Sequence, residues 1–210
     1  MKTNCVARTY IPILLATVLM LCGCLGRSPQ TKFYLLYPSP SPKATEVVTA
    51  QKDLRIGVGP VELSEYLDRP QIVSQTSESE LRVDQFNQWA EPLEGNIARV
   101  LARNLSTLLS TKNLFLFPWS GSTQIDYQAK LIIIDFKGTP DNNVLLRAHY
   151  TIFDGSKNPL AMNVVKIIQP ISEPGYEGLV TSMSKVIDEL SSKIAETIMA
   201  LPKEETELKP

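Results

Sequence analysis

Leu93-Glu94-Gly95-Asn96-Ile97-Ala98-Arg99-Val100-Leu101-Ala102-Arg103-Asn104-Leu105-Ser106-Thr107-Leu108 repeats large apolar residues at intervals of three and four: Leu93, Ile97, Val100, Leu101, Leu105 and Leu108. That spacing belongs to a helix with one buried stripe, and Glu94, Arg99 and Arg103 take its other side. Glu91-Pro92 supplies the start. Proline is tolerated in a first helical turn, where its missing N–H is not needed, and the carboxylate suits the positive end of the helix dipole. Such a helix needs a flat surface on which to bury its stripe. The sequence on either side provides strands.

Upstream, Leu54-Arg55-Ile56-Gly57-Val58-Gly59-Pro60-Val61 alternates at period two and predicts a strand ending near Pro60. Glycines inside a strand mark a bulge or a close backbone approach. Residues 71–75 and 80–85 read as a hairpin about Thr76-Ser77-Glu78-Ser79, with Leu81 and Val83 alternating against Arg82 and Asp84 as on a sheet with one wet face. Residues 32–37 form a short aromatic and aliphatic strand. Downstream, Leu114-Phe115-Leu116-Phe117-Pro118 is another strand. Residues 127–136, with the unbroken apolar centre Leu131-Ile132-Ile133-Ile134, predict a strand buried on both faces. Asp141-Asn142-Asn143 turns into a strand over 144–154, and Asp154-Gly155 opens the turn to a last strand around 163–169. A second helix over about 177–201 aligns Leu179, Met183, Ile187, Leu190, Ile194 and Ile198, and Pro202 stops it. Seven or eight strands and two long helices predict one α/β domain, with α+β as the alternative: a mixed sheet flanked by the helices.

The N-terminal residues carry a different signal. Lys2 and Arg8 lie in a segment without acidic residues, and an apolar run follows over 11–21. The uncharged stretch 9–25 is shorter than the roughly 20 apolar residues a spanning helix needs. It closes on Leu21-Cys22-Gly23-Cys24, which resembles the lipobox of bacterial lipoproteins. The expected organisation is a signal peptide over 1–23, an acylated N-terminus and tether with a short strand over 24–52, a periplasmic α/β domain over 53–202, and a disordered charged tail over 203–210. Ser39-Pro40-Ser41-Pro42 is the spacer in that tether. Cys5, Cys22 and Cys24 are the only cysteines, so cleavage before Cys24 leaves a 187-residue chain with no internal disulfide and a covalent lipid on its first residue. A chain of that length buries roughly 70% of its unfolded surface and needs no staple. Leu25 in place of aspartate after the cysteine favours the outer membrane.

Composition excludes several chemistries. Removing Lys2 and Arg8 lowers the basic count from 21 to 19 against 22 acidic residues, a net charge near −3, without the basic face that nucleic acid requires. His149 is the single histidine, so a transition-metal site lacks ligands, and no cofactor is expected beyond the lipid. In Arg147-Ala148-His149-Tyr150-Thr151 that histidine reads as a hydrogen-bonded sheet residue rather than a general base, and no G-x-S-x-G elbow is present. Gly57-Val58-Gly59 lacks the third glycine and the following helix of a nucleotide loop. The chain is expected not to be an enzyme, an envelope hydrolase using His149 being the rival.

Tyr66-Leu67-Asp68-Arg69-Pro70-Gln71-Ile72-Val73 and the later Gln88-Trp89-Ala90-Glu91-Pro92-Leu93 have a structural reading: Asp68 caps a turn, Pro70 holds Arg69 extended, and Trp89 packs at the helix entrance. Taken in order, after Val58-Gly59-Pro60-Val61 and before Ile97-Ala98-Arg99-Val100-Leu101-Ala102-Arg103-Asn104-Leu105, they resemble the PqiC (formerly YmbA) family of ABC-type transport auxiliary lipoproteins. The resemblance runs from the lipobox through Tyr34-Leu35-Leu36 to the terminal helix. It departs from the family at Ser64 or Glu65, where proline is frequent, and at His149 or Tyr150, where a tryptophan is frequent. It implies a non-enzymatic subunit of an MCE-type (mammalian cell entry) envelope lipid-transport system that supports membrane integrity. Acyl chains on Cys24 would hold it on the periplasmic face of the outer membrane, where it would dock an MCE-domain protein anchored in the inner membrane. A homo-oligomeric ring is among the arrangements the resemblance allows. Tyr66, Leu67, Asp68, Arg69, Pro70, Gln71, Ile72 and Val73 are the candidate partner contact. An assembly factor for another outer-membrane complex is the alternative.

Overall fold

The computed structural model describes residues 29–38 and 54–201. The expected signal peptide, Cys24, most of the expected tether and the 203–210 tail lie outside the described residues. The chain divides at residue 30, and every described helix and strand belongs to the second unit, Thr31–Pro210. Its elements are β1 (Lys32–Tyr34), β2 (Ile56–Leu63), β3 (Gln71–Gln75), β4 (Leu81–Trp89), α1 (Leu93–Leu108), β5 (Leu114–Leu116), β6 (Tyr127–Gly138), β7 (Asn143–Asp154), β8 (Pro159–Pro170) and α2 (Gly175–Ala200).

The twelve-residue β6 organises the sheet. Along one edge it pairs antiparallel with β7 from Tyr127↔Asp154 to Gly138↔Val144, and β7 pairs antiparallel with β8. Along the other edge two shorter groups meet it end to end. Its first half runs parallel to β2, which is parallel to β5, while its end meets β3 at Ser74↔Gly138. β3 continues antiparallel to β4 and β4 parallel to β1. The β2–β6 register shifts between Val58 and Val61. There Gly59 adopts φ +109°, and a Cβ on Gly57 would lie 2.6 Å from the Trp119 ring. The two glycines thus serve both the bulge and the close approach that their sequence context predicts.

Both helices pack on one face of this sheet. Ala129, Leu131 and Ile133 of β6, Val144, Leu146, Ala148, Tyr150 and Ile152 of β7, and the stripes of α1 and α2 belong to one buried cluster. Tyr150 reaches α2, its hydroxyl within 2.8 Å of Thr197 Oγ1. Between the helices the core is partly polar, Asn104 Nδ2 donating to Asp188 Oδ1 (2.8 Å) and Ser191 Oγ (3.1 Å). The small buried side chains Ser184, Ser191 and Ala195 give α2 a low surface here, and each serine hydroxyl donates to the carbonyl four residues back.

A mixed α/β architecture with a single core agrees with the sequence reading, including both helical stripes. One expectation is overturned. The Leu131-Ile132-Ile133-Ile134 run is not buried on both faces: Ile132 is 40% exposed, beside His149 and across the sheet from Val164, which is 76% exposed. Continuous apolarity here reflects β-branched strand preference, and among the described residues the face away from the helices is open at Ile132 and covered by Tyr66 near Asp135. Boundaries also moved. β4 extends to Trp89, whose N–H donates to the Pro70 carbonyl (2.6 Å), and β8 begins at Pro159.

Candidate functional site

The segment 66–73 leaves the end of β2 and returns as β3, and most of its side chains are committed to the core. Ser64 ties the turn to β6, its N–H donating to the Ile133 carbonyl (3.0 Å) and its hydroxyl to that of Ile134 (3.0 Å). Turn bonds from Leu67 N–H to Ser64 O and from Arg69 N–H to Leu67 O tighten the tip. Leu67, Ile72 and Val73 are buried, and Tyr66 and Gln71 are half-buried. Asp68, Arg69 and Pro70 alone stand out into solvent.

Tyr66 is the peg that holds this segment. Its hydroxyl donates toward Asp135 Oδ1 (2.9 Å) and the Ile134 carbonyl (3.2 Å). Asp135 lies in β6 with its side chain 5% exposed, paired with Lys137 Nζ at 2.9 Å and with Arg147 Nε. Lys137 also lies over the Tyr66 ring, 5.5 Å from its centroid. Burial pushes the Asp135 carboxyl up, but hydrogen bonds from Lys137, Arg147 and Tyr66 outweigh it and hold it below the ordinary carboxylate range. Burial, then the bond to Asp135, raises the Tyr66 hydroxyl well above its usual value. A buried carboxylate is tolerated because it is paired and fully bonded. Asp135 is the residue that sequence reasoning missed. Its signal was a lone acid inside the most apolar run of the chain.

Beside the tip lies an open cleft of about 420 Å³ at the end of β2, between that strand, the first turns of α1 and the segment after β5. Pro60, Ala98 and Phe117 form its apolar lining, and Glu62, Asp68 and Glu94 its acidic rim. Glu62 is neutralised by Lys130 (2.7 Å). Gln128 Nε2 donates to the Gly59 carbonyl (2.8 Å), which braces the floor. Glu94 sits in the first turn of α1, where the helix dipole favours a carboxylate. The cleft offers surface and charge but no nucleophile beside a base.

Among the described residues no three of His, Cys, Asp and Glu are arranged to hold a metal ion. His149 occupies β7 as expected of a sheet histidine, but its side chain faces the open side of the sheet, opposite Ile132 and Val164. No described helix is long and apolar enough to cross a membrane. Of the sequence candidates, the structure gathers Tyr66 with Asp135, Lys137 and Arg147, and Asp68 with the cleft. Cys24 lies outside the described residues.

Among known proteins, the chain is 26% identical over 187 residues to the intermembrane transport lipoprotein PqiC of Escherichia coli (strain K12), covering 88% of this chain and 95% of the relative. The PqiC of Shigella flexneri matches to the same extent. A crystal structure of an uncharacterized protein superposes with a TM-score of 0.67 at 18% identity, over 81% of this chain and 99% of the other. A Xanthomonas campestris crystal structure superposes with a TM-score of 0.60 at 12% identity, over 81% and 94% of the two chains. At such identities the structural likenesses speak for the fold. The family model for the ABC-type transport auxiliary lipoprotein component matches residues 34–195, from β1 through most of α2, and the chain belongs to that family.

Proposed function

We propose that this protein is held on the periplasmic face of the outer membrane by acyl chains on Cys24. There it serves, without catalysing a reaction, as an auxiliary subunit of MCE-type intermembrane lipid transport that supports membrane integrity. Its partner in this reading is an MCE-domain protein anchored in the inner membrane, which docks at the segment 66–73. The observation that carries the reading is the Asp68-Arg69-Pro70 tip, exposed on a segment that the Tyr66–Asp135 bond and buried Leu67, Ile72 and Val73 fix to the core. A preordered tip loses little freedom on binding, which favours a protein contact.

Family membership supports the transport role, and the name of the Escherichia coli relative supports an intermembrane one. Leu25 after Cys24 supports the outer membrane. Assembly as a homo-oligomeric ring is part of the proposal. β5 and β8 lie at opposite ends of the row β5–β2–β6–β7–β8, each with one edge unpaired among the described residues, and head-to-tail contacts between unlike edges generate a ring where the rotation between copies closes.

The test is crosslinking of the full-length, membrane-anchored protein in its native cell, with mass spectrometry of the partners and of the N-terminal peptide. The expected result is an MCE-domain protein joined within 66–73 and an acylated Cys24. An acylated Cys24 with only secretin or barrel-assembly partners overturns the transport reading in favour of an assembly factor. An unmodified Cys24 overturns the anchor. A folded His149→Ala protein without function would overturn the non-catalytic reading.

A further inference from the structure

The outward side of the first described strand carries apolar side chains where solvent-facing polar ones belong. From Phe33 to Leu36 the side chains alternate. Tyr34 and Leu36 turn inward, whereas Phe33 and Leu35 turn outward and are 63% and 48% exposed. Phe33 pairs with Gln88 of β4, so Phe86, two residues before Gln88 and 41% exposed, extends the same face. Lys32 is the sole charged residue in 29–37, and it too is exposed.

This segment is held in a set orientation. Asn96 of α1 clamps the Leu36 backbone at both polar atoms, its Oδ1 accepting from Leu36 N–H (2.7 Å) and its Nδ2 donating to the Leu36 carbonyl (3.3 Å). The next N–H, of Tyr37, donates to Ser184 Oγ of α2 (3.3 Å), and the Tyr37 hydroxyl donates to Thr181 Oγ1 (3.2 Å). Tyr34 donates to Asn87 Oδ1 (3.0 Å) on the inner side. The apolar face therefore points outward because the core holds its other side.

Phe33 follows Cys24 by nine residues. That length of chain spans at most about 32 Å in any conformation, less than the roughly 40 Å across a domain of this size. An anchor at Cys24 keeps the β1 edge near the bilayer. We infer that the face formed by Phe33, Leu35 and Phe86 rests in the headgroup region of the membrane that holds the acyl chains. The inference depends on the Cys24 anchor proposed above. Aromatic side chains favour that interfacial zone, and Lys32 at its margin is complementary to lipid phosphates. The acyl chains supply attachment, and the face sets how the domain sits on the membrane.

The test places the photocrosslinker p-benzoylphenylalanine at position 33, 35 or 162 of the full-length acylated protein. Met162 is a control on β8, at a different sheet edge, and is 77% exposed. Each protein is reconstituted in vesicles of phosphatidylethanolamine with a minority of phosphatidylglycerol and checked for unaltered melting. Illumination is followed by mass spectrometry of the adducts and of the Cys24 peptide. Lipid adducts at 33 and 35 are expected at least about fivefold above those at 162, as for side chains that enter the headgroup boundary. Equal yields at all three positions, or adducts at 33 and 35 to a second copy or another protein, with Cys24 acylated, overturn the membrane face and leave the anchor standing. An unmodified Cys24 overturns the anchor, and this inference with it.

Discussion

Replacing Asn96 with leucine isolates one interaction with a calculable cost. The side chain is 5% exposed and bonds both backbone groups of Leu36, itself 3% exposed. Leucine has the same number of side-chain heavy atoms as asparagine but offers neither a donor nor an acceptor. If the segment stayed in place, the Leu36 N–H and C=O would be buried without partners, at roughly 1–3 kcal/mol each, or about 2–6 kcal/mol together. If it lifted off, the domain would lose the burial of the Leu36 side chain, about 1.5–3 kcal/mol, and the two solvent-accessible Tyr37 bonds to α2, about 0.5 kcal/mol each. The cheaper route sets the limit, so the loss is about 2–4 kcal/mol and takes the form of local release. Hydrogen exchange read by mass spectrometry on the full-length protein in mild detergent is expected to show 31–38 losing protection while 93–108 and 175–200 keep theirs. The thermal midpoint is expected to fall by about 4–16 °C, at 2–4 °C per kcal/mol for a domain of this size. Unchanged exchange in 31–38 together with a midpoint shift below about 1 °C would refute the clamp.

Three further outcomes follow from the structure. Tyr66→Phe removes the hydroxyl that reaches Asp135 and Ile134 O and is expected to cost about 1–2 kcal/mol in thermal unfolding, whereas Arg69→Ala at the exposed tip shifts stability by less than about 0.5 kcal/mol and lowers partner crosslinking. Asp84, Asp126 and Asp135 are each held below the ordinary carboxylate range: burial opposes their ionisation, but bonds from Asn87 and Tyr176, from Arg55, and from Lys137 and Arg147 prevail. Their stabilisation is present above the unfolded carboxylate value of about 3.9 and lost as pH falls through the lower folded values. Unfolding scans should thus be level from neutral pH to about 5 and fall below about 4, less steeply in Asp135→Asn. Val164→Asp combined with Ile168→Asp, both exposed on β8 beside its unpaired edge, is expected to leave melting within about 1 kcal/mol and to dissociate the proposed ring in light scattering; a parent protein that is already monomeric would overturn the ring.

Local periodicity carried most of the secondary structure. The three-and-four spacing from Leu93 to Leu108 specified both α1 and its buried side, and the spacing from Leu179 to Ile198 did the same for α2, because those side chains are neighbours on the helix that bears them. The polar turn 76–79 located a hairpin, and the glycines at 57 and 59 marked a close approach and a bulge without naming Trp119 as the group that approaches. The motif 66–73 stood out in the sequence as an unusual run, but its division into a peg, a buried stem and an exposed tip did not.

That division rests on contacts between distant residues: Tyr66 meets Asp135 across 69 positions, and Asn96 holds Leu36 across 60. No local pattern encodes such pairs, since each depends on which strand edges meet and on which face the helices cover. The same holds for β6. Leu131-Ile132-Ile133-Ile134 prescribes a strand through β-branched preference, yet whether Ile132 is buried depends on where α1 and α2 pack. They pack together on the other face, so Ile132 remains in the open. The sequence by itself determined the elements, the apolar stripes of the helices and the family resemblance, all properties of near neighbours or of residue order. Only the tertiary structure decided which side chains are spent on the core and which remain free to meet a partner or a membrane, because burial depends on the whole packing arrangement around a residue.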